Sequence, residues 1–129
     1  MPKARPRSRS QPVNVEVTAL TKAASRAAQK LGLKNRTLAA VLGLSEATIS
    51  RMTKGDYHLH RDDKAFELSV LLVRLYRSLD AIVGGDETVA KAWLSNHNVA
   101  LRDAPINLIQ SVGGLVNVIQ YLDARRAQI

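Results

Sequence analysis

Apolar residues recur along this chain at helical spacing. Leu20, Ala23, Ala24, Ala27, Ala28 and Leu31 fall at i, i+3, i+4, i+7, i+8 and i+11, one stripe that predicts a helix over 17–31. Thr18 suits its N-cap and Gly32 the position just past its end. Lys22, Arg26, Gln29 and Lys30 fall largely on the polar side. Residues 64–83 predict a longer, more apolar helix. Leu68, Leu71, Leu72, Leu75, Leu79 and Ile82 fill its broad face, with Phe66, Val70, Val73 and Arg77 along one edge. So wide a surface implies burial on several sides and makes this helix the spine of the fold. Gly84-Gly85 ends it, and Asp86 caps a helix over 87–95 with Val89, Ala90, Trp93 and Leu94 inward. Asn96-His97-Asn98 breaks that helix. Pro105 suits the first turn of a short helix over 106–111, and Gly113-Gly114 precedes a last helix over 115–126. Its core positions are Val116, Val118, Ile119 and Leu122. The expected fold is all-α.

Residues 35–54, NRTLAAVLGLSEATISRMTK, are the most informative stretch. A short helix over 37–42 meets Gly43, which takes positive φ without steric cost. Ser45 caps a second helix over 46–54, ended by Gly55. Two short helices joined by a tight Gly-containing turn form a helix-turn-helix. Ala39 is small where the helices approach, Leu44 plugs the turn, and Ile49 and Met52 point into the core. The bland reading of the same pattern is a hairpin used only for packing.

Charge sharpens the picture. The chain has 129 residues and a net charge of +8. Residues 1–54 carry 11 Lys and Arg against Glu16 and Glu46, while residues 55–129 carry 8 basic and 9 acidic residues. The whole excess lies in the first half, which favours a polyanion partner there. Residues 1–14, with three prolines and four cations, read as a disordered basic arm. Such an arm can follow a DNA backbone or enter a minor groove, or can be a tail without function.

Other chemistries find little support. There is no cysteine, which excludes disulfides, thiolate metal sites and Cys nucleophiles. No apolar run is long enough to span a bilayer and no secretory signal is visible, so a cytoplasmic location is expected. His58-x-His60 with Asp62 and Asp63 is a weak metal pattern, better read as a polar linker whose Asp62 or Asp63 caps the next helix. No strand precedes the Gly-Gly pairs and no Lys-Ser/Thr follows them, so they are not phosphate loops. Trp93 could stack a base, but at i+4 from Val89 it reads better as core. No catalytic residue, metal or cofactor is expected.

The Ala39–Gly43–Ile49 spacing resembles the Cro/repressor (Xre-type) helix-turn-helix, in which the second helix lies in the major groove. The resemblance assigns Ser45, Glu46, Ala47, Ser50, Arg51 and Lys54 to the groove face. Arg51 can bond guanine bidentately, Glu46 can accept from cytosine N4, and the Ala47 methyl can meet a thymine methyl. Thr48 lies off that face, within reach of a phosphate. Further on, Gly85-Asp86, Ala90-x-x-Trp93-Leu94, Asn98-x-x-Leu101, Pro105-x-x-Leu108-Ile109 and Gly113 before an apolar helix resemble the C-terminal domain of the MbcA/ParS/Xre antitoxins.

That resemblance implies an N-terminal helix-turn-helix bundle followed by a small helical toxin-binding domain. The expected division is an arm over 1–14, a DNA-binding region over 15–63, and a spine helix with a toxin-binding and dimerisation domain over 64–129. It implies an antitoxin that blocks a RES-domain toxin, itself consuming or transferring part of NAD, and that represses its own operon. The alternative is a stand-alone dimeric transcriptional regulator. The expected partners are the toxin, double-stranded operator DNA and a second copy of the chain, with no membrane. The residues expected to meet the toxin are Tyr121, Asp123, Arg125, Arg126, Gln128 and Ile129. A free chain end could enter the toxin's cleft, where Asp123 or the terminal carboxylate would meet cations that otherwise hold the NAD pyrophosphate.

Overall fold

The computed structural model describes residues 6–128, with side chains from Val15 onward. Within the described residues seven helices follow one another: α1 (Pro6–Leu31), α2 (Asn35–Leu42), α3 (Glu46–Thr53), α4 (Lys64–Val83), α5 (Glu87–Ser95), α6 (Pro105–Leu108) and α7 (Val112–Arg126). Among the described residues there is no strand; one isolated bridge joins Asn98 to Asp103. No helix among them is long and apolar enough to cross a membrane.

The expected stripe of α1 is buried from Ala24 to Leu31, with Leu20 and Ala23 half-buried above it. The helix begins at Pro6, not near Val17, so residues 6–14 of the expected arm are helical and Thr18 lies inside the helix. Proline is tolerated at a first helical position, which suits Pro6, whereas Pro12 inside the helix removes one i→i−4 hydrogen bond. Residues 1–5 of the arm lie outside the described residues.

Helix α4 is the spine. It packs against α1 and α2 on the N-terminal side and α5 and α7 on the C-terminal side. Leu72, Leu75 and Leu79 are completely buried, while Leu71 and Ile82 are only half-buried and Val70 stays 46% exposed. One continuous apolar cluster runs from Val17 through Leu38, Ile49, Leu72 and Leu94 to Leu122. Asp63 stands at the N-cap of α4, but its side chain makes no cap bond. The linker before α4 is pinned: Leu59 is buried, and its N–H donates to the buried Thr21 hydroxyl of α1 at 3.1 Å. Thr21 in turn donates to the Val17 carbonyl at 2.7 Å.

The C-terminal helices depart from expectation in three places. Helix α6 is one turn and stops at Leu108. Val89 of α5 is 47% exposed, not inward. Gly113 and Gly114 lie within the first turn of α7, where Ser111 is the N-cap and accepts from Gly114 N–H at 3.1 Å. Starting α7 earlier puts Leu115, Val118, Ile119 and Leu122 in the core and leaves Val116 half-buried. Gly114 is needed for close approach: a Cβ there would stand 1.9 Å from the Leu108 carbonyl oxygen, whereas one on Gly113 would meet nothing within 4 Å.

Helix α7 is fixed to α4 by Asp123. Its carboxylate accepts from the Ser78 hydroxyl at 2.9 Å and pairs with the Arg74 guanidinium. Partial burial disfavours its charge, but these two donors outweigh that and hold its pKa below the usual Asp value. A lowered folded pKa means the contact stabilises the fold fully above the unfolded pKa of about 3.9 and is lost as pH falls through the folded value.

Two predictions follow from this packing. Gly114→Ala should lower stability by about 2–3 kcal/mol, because backbone must move, while Gly113→Ala should be neutral or stabilise by about 0.5 kcal/mol. Urea midpoints of the two variants read this directly. Asp123→Asn should lower the Tm by roughly 3 °C at pH 7, a value discounted for the exposed half of the ion pair. Melting curves of wild type and variant should converge as the pH is taken below the ordinary Asp range.

Candidate nucleic-acid interface

Helix α2 ends at Gly43, whose backbone is left-handed at φ 69°. Space does not demand glycine there, since a Cβ would meet nothing within 4 Å; the backbone angle does. The chain then extends through Ser45, whose hydroxyl accepts from Thr48 N–H at 3.1 Å and so caps α3. Ile49 and Met52 are buried, as is Ala39 facing them from α2, and Leu44 packs half-buried against the core. These contacts roll α3 so that its other side faces solvent.

On that side the structure brings together Ser45, Glu46, Ala47, Arg51 and Lys54, all exposed, with Ser50 half-buried beside them. Glu46 sits in the first turn and Arg51 in the last, each at the helix end whose partial charge it complements. Thr48, expected at the margin, has a more definite place. Its Oγ1 accepts from the Ser45 hydroxyl at 2.9 Å and from Arg51 Nη2 at 3.1 Å. The Ser45 proton is therefore engaged within the helix. The Arg51 guanidinium is held by one nitrogen, with its remaining N–H groups available for an acceptor. The Thr48 hydroxyl keeps its own proton to donate.

Spacing along the chain gave no sign of a second cationic group beside α3. A groove of about 650 Å³ brings Lys22 and Arg26 of α1 together with Lys54 and His58. Their proximity depends on how α1 crosses the end of α3, which only the assembled core determines. Lys22 and Arg26 were legible as polar-face residues of α1 but not as neighbours of α3.

The residues expected to meet a protein partner lie on α7 and just beyond it. Asp123 accepts from the Ser78 hydroxyl and pairs with Arg74 within the chain. Tyr121 is half-buried and stacks on Trp93, ring centroids 6.3 Å apart and 18° from parallel. Trp93 is thus neither core nor free, but half-buried. Arg125 donates to the Tyr121 hydroxyl at 2.9 Å and lies 5.7 Å over its ring. Arg126 reaches Ser78 Oγ at 3.4 Å, and Gln128 is exposed. The chain up to Arg126 is a docked helix, not a loose end; Ile129 lies outside the described residues.

Comparison with known families finds two adjoining likenesses. Residues 15–74 match the antitoxin Xre-like helix-turn-helix domain, and residues 78–127 match the antitoxin Xre/MbcA/ParS C-terminal toxin-binding domain. No curated protein matches the chain.

Arg51→Ala is expected to cost about 1–3 kcal/mol in DNA affinity and to relax preference at one base pair. Thr48→Val keeps the Ser45 cap bond to the backbone but frees Arg51, and should relax the same base pair by less. Competition titrations with single-base variants of the bound sequence measure both. An equal loss on every sequence would place Arg51 on the phosphate backbone instead.

Proposed function

Because the chain belongs to the Xre-type antitoxins, carrying their helix-turn-helix and toxin-binding domains in that order, we propose that it neutralises a RES-domain toxin acting on NAD and represses the operon that encodes the pair. The observation that carries this reading is the pairing of two domains of opposite character in one chain. The α3 face is left uncovered by the fold and is flanked by cations. Residues 78–127 hold five acids against four bases, too few cations for a second nucleic-acid surface.

In this reading Arg51 reads a base edge from the major groove, and Glu46, Ala47 and Ser50 supply further contacts. Lys54, Lys22, Arg26 and the Thr48 hydroxyl engage phosphates, which position the helix without carrying sequence information. One helix-turn-helix reads only a few base pairs. A homodimer on two half-sites about 34 Å apart supplies useful specificity, and we place the working form there. The four cations of residues 1–14 add to the attraction for the duplex.

Toward the toxin, the end of α7 and the residues after it, Arg125, Arg126, Gln128 and Ile129, cover the mouth of the NAD pocket. Asp123 is engaged by Ser78 and Arg74, and the two arginines pair with acids at the rim of the pocket. The second reading, a regulator without a toxin partner, differs from this only in the C-terminal half, and one experiment separates them.

Deletion of residues 124–129 leaves every buried residue of α7 in place. The truncated protein is expected to bind its operator with unchanged affinity and to lose protection of NAD when mixed with the toxin. NAD consumption and a gel shift, measured on the same preparation, read the two activities. Full protection by the truncated protein would move the inhibitory contact to the 86–110 region. If the full-length chain bound its promoter but no neighbouring gene product, the stand-alone regulator would be the correct reading.

A further inference from the structure

A strip of side chains on the C-terminal half joins α5 to α7 and leaves part of each side chain uncovered. Val89 and Trp93 lie one turn apart on α5, at i and i+4, and so share a face. Val89 is 47% exposed and Trp93 is half-buried. Trp93 stacks in an offset, near-parallel manner on Tyr121 of α7, and Tyr121 carries Arg125 over its ring and on its hydroxyl. The strip therefore runs Val89, Trp93, Tyr121, Arg125 across two helices. No described carboxylate pairs with Arg125.

We propose that this strip is the anchor on which the toxin docks, and that the toxin offers it an apolar socket bordered by a carboxylate. The proposal rests on the antitoxin reading above and deepens it, because it places the primary contact on the α5–α7 stack and not on the chain end alone. Trp, Tyr and Arg are the residue types that dominate binding energy at protein interfaces. The two rings bring large contact area with few rotatable bonds. Arg125 is already oriented by Tyr121, so pairing it with a carboxylate orders little that was free.

The other occupants fit less well. Duplex DNA would find one cation among three apolar groups. A second copy of the chain would set the strip against itself in a two-fold interface, where no acid in the strip could receive either Arg125. The nearest acid on α5, Glu87, is engaged by Lys30 at 3.4 Å and Lys91 at 3.7 Å.

Trp93 is the only tryptophan in the chain, which permits a direct test. The full-length protein labelled with 5-fluorotryptophan gives one ¹⁹F resonance. The probes are the purified product of the adjoining reading frame and, separately, a duplex from the chain's own promoter. The line is expected to shift or broaden with the protein and to stay unchanged with the duplex. Trp93→Ala could unfold the domain, so the variants are Val89→Asp and Arg125→Glu, both at exposed positions. Each should weaken the protein complex by at least about tenfold and leave duplex affinity within about twofold. A complex that forms with the fluorine line unmoved, or with both variants at wild-type affinity, overturns the docking strip and leaves the antitoxin reading standing. If the wild-type chain forms no complex with the neighbouring product, the antitoxin reading fails and the strip falls with it.

Discussion

Helix α4 has to satisfy two sets of neighbours at once. With α1 and α2 on one side and α5 and α7 on the other, it has little surface to give to water. Its buried positions include Leu68, Leu72, Leu75 and Leu79, but also Ala65, Ser69 and Ser78. The small residues matter as much as the large ones, because the distance between packed helices is set by the side chains at the contact. Ser78 shows both uses. It is small enough to be buried, and its hydroxyl is one of the two groups that hold Asp123. Each completely buried leucine contributes about 2 kcal/mol relative to an exposed one, so this one helix carries much of the favourable side of folding.

Because α4 supplies the packing surface, the functional helices can be short. Helix α3 has eight residues and buries only Ile49 and Met52. In water a helix of that length would be marginal. The Ser45 cap and the two core side chains compensate, and the remaining positions are free to be chosen for DNA. At the other end, α7 is long enough to dock firmly through Leu115 to Leu122 while Tyr121 stays half-buried and Arg125 exposed. Recognition in both halves is therefore a matter of what the core leaves uncovered.

Much of this was legible in the sequence wherever the deciding interaction is local. The Gly43 turn, the Ser45 and Asp86 caps and the span of α4 depend on neighbours within four residues, and each lies where the spacing puts it. Interactions between distant residues were not legible. Gly113-Gly114 reads as a helix breaker, yet Gly114 is inside α7 because the Leu108 carbonyl comes too close for a side chain. Asp123 reads as a surface acid on a helix end, and only the α4–α7 packing places Ser78 and Arg74 against it. Val89 reads as core by period, but α5 buries Ala90 and Leu94 fully and Trp93 in part, and leaves Val89 exposed. In the DNA-binding half the face of α3 was legible, whereas the Thr48 bond to Arg51 and the meeting of Lys22 and Arg26 with Lys54 required side-chain positions.

The unbroken core has a consequence for the lifetime of the two activities. Leu72, Leu75 and Leu79 are buried only as long as helices from both halves cover them, so neither half is an independently folding unit. A protease that cut between α5 and α7 would strip one side of α4 and melt the DNA-binding half along with the toxin-binding half. Loss of the C-terminal helices would then take the helix-turn-helix with it, as a single event per molecule and not as two separately timed ones.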